Sequence, residues 1–166
     1  MFKRLMLILS LVAIPVLARG DEENGSGEEQ EKIKAGPTDS SEKVAPGSID
    51  KDAPREFKTT DSGLKYRVLR KSDKAKPTAR DAVTVHYKGW LDDKTIFDSS
   101  YRRGEKISFP LNRVIPGWTE GMQLVGEGGM IELEIPSKLG YGTRGAGRAV
   151  PPNATLHFIV ELFEVK

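Results

Sequence analysis

Residues 140–145 form the most familiar chemical pattern in the chain, because they read G-Y-G-T-R-G and match the G-x-G-x-x-G loop of dinucleotide-binding proteins. In those proteins the loop opens a helix whose N-terminus holds the pyrophosphate. Here the chain runs instead through Gly147 to Pro151 and Pro152 and then into a predicted strand. Without a βαβ unit the pattern indicates a loop shaped by glycines, and we expect no nucleotide cofactor.

Residues capable of acid–base, metal or nucleophilic chemistry are few and scattered. Glu132 and Glu134 are two positions apart in a predicted strand and share one face, which indicates a solvated strand surface rather than carboxylates flanking a cleft. His86 and His157 are the only histidines, too few for a zinc site, and the chain has no cysteine. We therefore expect neither covalent catalysis nor a metal.

Aromatic residues are the remaining candidates for a functional site. Each of them alone is typical of a core. Together they are spread over every predicted element, which suits either a core or a hydrophobic pocket lined from several sides. Composition and spacing leave both interpretations open. The residues concerned are Tyr87, Phe97, Phe109, Trp118, Tyr141 and Phe158.

The elements that would position these side chains are mostly strands, because apolar and polar residues alternate in several stretches after residue 56. One segment suits a helix instead: a Pro-Gly pair at 116–117 precedes Trp118, Met122 and Val125, which share one helical face. The pattern predicts an α+β domain in which a curved antiparallel sheet packs against one short helix. The predicted strands lie within residues 64–68, 83–88, 96–97, 131–135 and 155–165.

Composition divides the chain into three zones. Residues 1–20 have a basic start, an apolar run and small residues at the end, the layout of a secretory signal peptide, with an uncleaved membrane anchor as the alternative. Residues 21–55 are acidic and lack aromatics, which favours a disordered linker over an acidic binding tail. Residues 56–166 are then the folded domain. No basic run is interleaved with aromatics, so we expect no nucleic-acid partner.

Five blocks of residues are distinctive when taken together and in order: 85–89 (V-H-Y-K-G), 97–100 (F-D-S-S), 114–121 (V-I-P-G-W-T-E-G), 141–142 (Y-G) and 151–162 (P-P-N-A-T-L-H-F-I-V-E-L). In these blocks the chain resembles the FKBP-type peptidyl-prolyl cis-trans isomerases, over about two-thirds of its length. The resemblance implies a five- or six-stranded antiparallel sheet curled around one short helix, with a proline pocket between them.

The resemblance also implies which residues form the site. Trp118 would be the floor of the pocket, and Asp98 and Tyr141 would be the catalytic residues, Tyr141 by offering its hydroxyl to a substrate carbonyl. Arg103 would pair with Asp98, and Val150 would line the loop side of the pocket. The expected walls are Tyr87, Phe97, Val114, Phe158 and Ile115, whose backbone N–H would receive a second carbonyl.

The implied activity is rotation of X–Pro bonds in proline-containing polypeptides, without a metal, nucleotide or other cofactor. Ile107 and Ala149 stand where the family commonly has larger side chains, so we expect an altered substrate preference and weaker binding of macrolide inhibitors. Arg144 and Arg148 are expected to favour acidic residues beside the proline. A non-catalytic chaperone module that binds proline-containing segments stays open as the alternative.

Both ends of the chain bear on its location. The apolar leader predicts export, and the closing residues F-E-V-K are not an ER-retention signal, which favours a bacterial periplasm or cell envelope, with secretion as a further option. Contact with a membrane is expected only if the leader stays uncleaved. Because the chain lacks the long helical dimerisation arm of some exported relatives, we expect a monomer.

Overall fold

The structure is a computed structural model that describes residues 32–166. The predicted signal peptide, residues 1–20, and the start of the predicted linker, residues 21–31, lie outside the described residues. Within residues 32–166, no helix is long and apolar enough to cross a membrane. The strands are β1 (Lys58–Thr59), β2 (Lys65–Arg70), β3 (Ala82–Trp90), β4 (Ile96–Ser99), β5 (Ile107–Pro110), β6 (Met130–Ile135) and β7 (Leu156–Val165), and the α-helices are α1 (Ser100–Arg103) and α2 (Pro116–Met122).

All seven strands belong to one antiparallel sheet in the order β1-β2-β6-β7-β3-β4. The fifth strand, β5, pairs with the first half of β3, while β4 pairs with its second half. This arrangement confirms the predicted α+β fold, an open antiparallel sheet with a short helix. It differs from the expectation in having two further strands, the two-residue β1 and the four-residue β5, and a second helix of only four residues, α1.

Alternation along the strands gives the sheet two faces of different character. In β7, Leu156, Phe158 and Val160 point to the side that packs against α2, which we call the inner face. Ile159 and Glu161 point to the opposite side, the outer face. The main core lies on the inner face and contains Leu64, Val83, Val85, Tyr87, Leu111, Trp118, Met122, Val125, Ile131, Leu133, Ile135, Val150, Leu156, Phe158, Val160 and Leu162.

Helix α2 begins where the Pro-Gly pair predicts, with Pro116 at its first position, where a missing N–H removes no helical hydrogen bond. Gly117 lets the helix approach β6, because a Cβ there would lie 2.5 Å from Cγ2 of Ile135. The helix ends at Met122, yet Val125 is still buried at 1% exposure in the turn that follows. The apolar stripe of the sequence therefore points into the core even beyond the helix.

Residues 33–50, which we call the covering segment, lie on the outer face and fall within the range 21–55 that the sequence predicts to be a linker. The segment has no strand or helix of its own. Its Ile33, Ala35 and Ile49 pack against a second buried cluster. Three apolar side chains are enough to hold a chain against an apolar surface that already exists, although they could not form a core alone. The second cluster contains Leu69, Trp90, Tyr101, Met130 and Ile159.

Polar contacts hold the covering segment on the outer face. The Lys88 ammonium is 2% exposed and donates to the carbonyl of Pro37 at 2.8 Å and to the Glu42 carboxylate at 2.9 Å. The N–H of Gly47 donates to Oε1 of Glu161 at 2.8 Å. Because buried charges need partners, these bonds make the segment part of the folded unit.

The carboxylate of Glu132 is buried, whereas the sequence predicts a solvated strand face for it. Glu132 is 7% exposed and pairs with Arg67, the shorter N–O distance being 2.6 Å. Burial raises its pKa above the usual range, against the opposing charge and hydrogen bond of Arg67. Glu132 and Arg67 therefore form a structural ion pair on the outer face.

Candidate functional site

A cavity of about 440 Å³ opens on the inner face between the sheet and the N-terminus of α2. Strands β3, β4, β5 and β7, the 3₁₀ turn Leu111–Arg113 with the residues after it, and the long loop between β6 and β7 all contribute to it. Because these segments are far apart in sequence, only the curled sheet brings them together. The lining consists of Tyr87, Phe97, Asp98, Phe109, Arg113, Val114, Ile115, Trp118, Tyr141 and Phe158.

The indole of Trp118, 4% exposed, is the centre of an aromatic cluster. Three rings meet it nearly at right angles: Tyr87 at 5.3 Å and 89°, Phe158 at 5.4 Å and 87°, and Phe109 at 5.7 Å and 82°. Phe97 extends the wall by meeting Phe158 at 5.5 Å and 88°. Edge-to-face contacts of this kind hold rings in fixed orientations. The result is a rigid, apolar concavity with the indole at its base.

Three polar side chains form a hydrogen-bonded cluster at the edge of this concavity. The Tyr87 hydroxyl donates to Oδ2 of Asp98, and Arg103 donates to Oδ1 of Asp98 and, at 3.0 Å, to the Tyr87 oxygen. Burial, and then the hydrogen bond and charge of Asp98, raise the pKa of Tyr87 to about 12. The phenol therefore stays protonated at neutral pH and holds the carboxylate at the mouth of the cavity.

Two hydrogen-bond donors at the cavity are available to a ligand. Tyr141 lies in the long loop, is 41% exposed, and its hydroxyl has no partner among residues 32–166. The backbone N–H of Ile115 lies just before α2, and no group in the described part of the chain accepts from it. Each donor could receive a carbonyl without breaking an existing bond.

The structure brings together most of the site residues that the sequence predicts. Eight of them line the cavity: Asp98, Tyr141, Tyr87, Phe97, Val114, Ile115, Trp118 and Phe158. Arg103 lies outside the lining and reaches it through Asp98. Val150, expected on the loop side, lies instead in the main core at 3% exposure and bridges to Ala146.

Two lining residues, Phe109 and Arg113, are not among the site residues that the sequence predicts. Phe109 was recognisable as one of the spread aromatics, but its place beside Trp118 depends on the pairing of β5 with β3. Arg113 ends the 3₁₀ turn and gave no signal of its own. Conversely, Ile107 and Ala149 do not line the cavity: Ile107 packs against the main core and Ala149 is exposed.

Comparison with known proteins identifies the family of the chain. The family model of the FKBP-type peptidyl-prolyl cis-trans isomerase matches residues 73–163, more than half of the chain. The crystal structure of FkpA from Escherichia coli is similar, with a TM-score of 0.65 and 48% identity over 68% of this chain and 53% of that one. The chain belongs to the FKBP-type peptidyl-prolyl cis-trans isomerase family.

Two curated relatives show how far the similarity extends. FkpA of Aeromonas hydrophila, named an FKBP-type peptidyl-prolyl cis-trans isomerase, is 54% identical over 109 residues, which are 66% of this chain and 40% of that protein. The outer membrane protein MIP of Legionella longbeachae is 36% identical over 159 residues, 96% of this chain and 64% of that protein. The chain thus spans less than two-thirds of the length of either relative.

Proposed function

We propose that this protein is a peptidyl-prolyl cis-trans isomerase that accelerates rotation of X–Pro bonds in exported polypeptides. The observation that carries the proposal is the cavity on the inner face. Its base is the Trp118 indole, three rings stand edge-on around that base, and the Asp98 carboxylate lies at the mouth. A proline ring is an apolar body of suitable size for such a concavity, and membership of the family supports the same ligand.

The reaction needs no bond to be made or broken by the protein. Rotation about an X–Pro bond is slow because it disrupts amide resonance, with a barrier of about 18–20 kcal/mol. Water stabilises the planar, charge-separated amide, whereas the twisted amide is less polar. An aromatic cavity that excludes water therefore lowers the free energy of the twisted form relative to the planar forms, which is catalysis by differential binding.

The available donors and the carboxylate would orient the substrate within the cavity. In this proposal the proline ring lies on Trp118, and the Tyr141 hydroxyl and the Ile115 N–H hold carbonyls on either side of it. Fixing both flanks lets the peptide bond rotate while the rest of the segment stays in place. Asp98, which is held by Tyr87 and Arg103, would act on the twisting carbonyl carbon through its charge.

Location in the periplasm or cell envelope is part of the same proposal. The leader at residues 1–20 has the layout of a signal peptide. The similarity to a protein named outer membrane protein MIP extends over 96% of this chain. Both observations favour exported polypeptides as substrates.

Magnetisation-exchange NMR of a short X–Pro peptide tests the activity and the two proposed catalytic residues together. The protein should accelerate exchange between cis and trans resonances, and Asp98→Leu and Tyr141→Phe should each lower the exchange rate about tenfold, the effect of losing about 1.4 kcal/mol of transition-state stabilisation. Asp52→Asn, an exposed carboxylate paired with Lys71 on the surface, and Tyr66→Phe, a partly buried ring that lines no part of this cavity, are the matched controls.

The experiment also separates the alternative function. A non-catalytic binding module would shift the resonances of Trp118 and Tyr141 on adding the peptide without accelerating exchange. Full exchange rates in both Asp98→Leu and Tyr141→Phe would contradict the roles proposed for these two residues while leaving the isomerase activity in place.

A further inference from the structure

Two of the chain segments that contribute to the cavity carry charges of one sign only. Residues 107–117 contain Arg113 and no acidic residue, and residues 136–155, which include the long loop, contain Lys138, Arg144 and Arg148 and no acidic residue. Elsewhere in the described chain acids and bases are interspersed, and the chain as a whole has a formal net charge of only +2. The positive charge is therefore concentrated in these two segments, of which Arg113 lies in the cavity lining itself.

The structure leaves these bases uncompensated. Arg113 lines the cavity itself and is exposed, and Arg144 and Arg148 are exposed in the loop that carries Tyr141. None of these three arginines has an ion pair within residues 32–166. Arg103 is different, because its guanidinium is already engaged by Asp98.

The acidic residue of the lining, and two acidic residues on or beside elements that contribute to it, are engaged by other groups. Asp98 accepts from Tyr87 and Arg103. Glu120, on α2, accepts from the Ser62 hydroxyl at 2.7 Å. Asp92, in the turn between β3 and β4, lies 2.7 Å from Nε2 of His157. Since Asp98 is the single acidic residue of the lining and is paired, Arg113 is the unpaired charge of the cavity.

We propose, resting on the isomerase function above, that this site selects X–Pro segments that carry an aspartate or glutamate within two residues of the proline and discriminates against segments with lysine or arginine there. Unpaired cations beside an apolar cavity concentrate anionic ligands and repel cationic ones, because low-dielectric walls focus the field into the opening. The selected substrates are thus acidic, proline-containing stretches of unfolded polypeptide.

The size of the selectivity follows from the exposure of the arginines. Charges that remain in contact with water interact weakly, so three such charges should favour a glutamate peptide over its lysine analogue by about five- to tenfold at low salt. Screening should remove most of this preference, because the Debye length falls from about 30 Å at 0.01 M to about 3 Å at 1 M ionic strength. Binding of the proline ring in the apolar cavity should not weaken in the same way when the ionic strength rises.

The test uses the exported protein and two sets of short peptides that have Glu, Gln or Lys either immediately before or immediately after proline. The catalysed exchange rate per enzyme should follow Glu > Gln > Lys in at least one set at 10 mM salt, and the three rates should converge at 1 M salt. Arg113→Glu should lower the Glu-to-Lys ratio most, because it places a negative charge in the lining itself, and the double variant Arg144→Gln/Arg148→Gln should lower the ratio less.

Lys51→Gln is the control, because it removes one exposed positive charge from the chain far from the lining residues in sequence and lines no part of the cavity. Its Glu-to-Lys ratio should equal that of the unaltered protein. Equal rates for the Glu and Lys peptides in both sets, or a ratio unchanged in Arg113→Glu, would overturn the selectivity while the isomerase function stands.

Loss of the function itself would look different. If no peptide shows accelerated exchange, the proposed function fails, and the selectivity is then judged from dissociation constants measured by titrating the Glu and Lys peptides into the protein. A five- to tenfold tighter Glu peptide would support selection by a binding module, and equal dissociation constants would overturn it.

Discussion

The two faces of the sheet differ in exposure although the same strands form both: the inner face has an open apolar cavity, and the outer face is covered. On the inner face, residues of β3 and β7 such as Tyr87 and Phe158 leave an apolar cavity open to solvent. On the outer face, their neighbours Lys88 and Glu161 are polar and nearly inaccessible, because the covering segment lies over them. Alternation along one strand therefore supplies a binding surface on one side and a closed ion network on the other.

The carboxylate of Glu161 shows how the closed face is stabilised. It accepts from the Tyr101 hydroxyl at 2.7 Å, the Gly47 N–H at 2.8 Å and Arg70 at 2.8 Å. Burial alone would favour its neutral form, but the three donors and the Arg70 charge outweigh burial and lower its pKa. Asp98 on the inner face also accepts from a tyrosine and an arginine, yet its side chain is 40% exposed and open to a ligand.

The comparison predicts that substitutions on the outer face lower the free energy of unfolding, whereas substitutions on the inner face lower the catalysed exchange rate.

The largest effect should follow from removing the covering segment. A chain of residues 56–166 should lose about 5 kcal/mol or more of unfolding free energy relative to residues 32–166, because Trp90 and Tyr101 become exposed and Glu161 and Lys88 lose partners. Urea unfolding followed by tryptophan fluorescence measures it. Equal stabilities would restore the linker interpretation.

A smaller loss should follow from Glu161→Ala. Removing this carboxylate leaves Arg70, Tyr101 and the Gly47 N–H without their common acceptor, at a cost of about 3 kcal/mol in unfolding free energy. Glu164→Ala on the same strand is the matched control, since its partner Lys166 is half-exposed and the pair should contribute less than about 1 kcal/mol. Similar unfolding midpoints for the two variants would show that the buried network is not stabilising.

A matched pair of hydroxyl deletions should separate the faces most clearly. Tyr87→Phe removes the bond to Asp98 and should lower the catalysed exchange rate about tenfold, with a loss of about 1 kcal/mol in stability. Tyr101→Phe removes the bond to Glu161 and should cost about 1–2 kcal/mol in stability with the exchange rate of the folded protein unchanged. If both variants lost catalysis equally, the two faces would be coupled.

The smallest effect should be a dependence of stability on pH from His86. Burial, and then the charge of Lys106, lower the pKa of this imidazole below 6.5 in spite of Glu161. The unfolded chain then binds more protons than the folded one as pH falls below about 7, so stability decreases in that window. Between pH 7.5 and 5.5 the unaltered protein should lose under about 1 kcal/mol more than His86→Gln, compared by urea midpoints at each pH. If the urea midpoints of the two proteins changed equally with pH, His86 would not contribute to the pH dependence of stability.

Much of the inner face could be predicted from the sequence. Strand alternation and the Pro-Gly start of α2 are local signals, and they predict the sheet, the helix and the burial of Trp118 correctly. The blocks of residues that resemble the family, taken in order, then predict which aromatic residues line the cavity together. Val150, which the family resemblance places on the loop side of the pocket, is buried in the main core and forms a bridge to Ala146, and no local pattern of the sequence encodes that bridge.

The sequence by itself determined five of the seven strands, the helix α2, the family and most of the cavity lining, because each of these depends on neighbouring residues or on blocks with a characteristic order. The tertiary structure alone decided the role of residues 33–50, the burial of Glu132 and Glu161, and the place of Arg113 at the cavity. Gly47 and Glu161 are 114 positions apart when they meet. A segment with few apolar residues is ordered only by a surface that the rest of the chain has already formed, and that surface cannot be read from the segment's own composition.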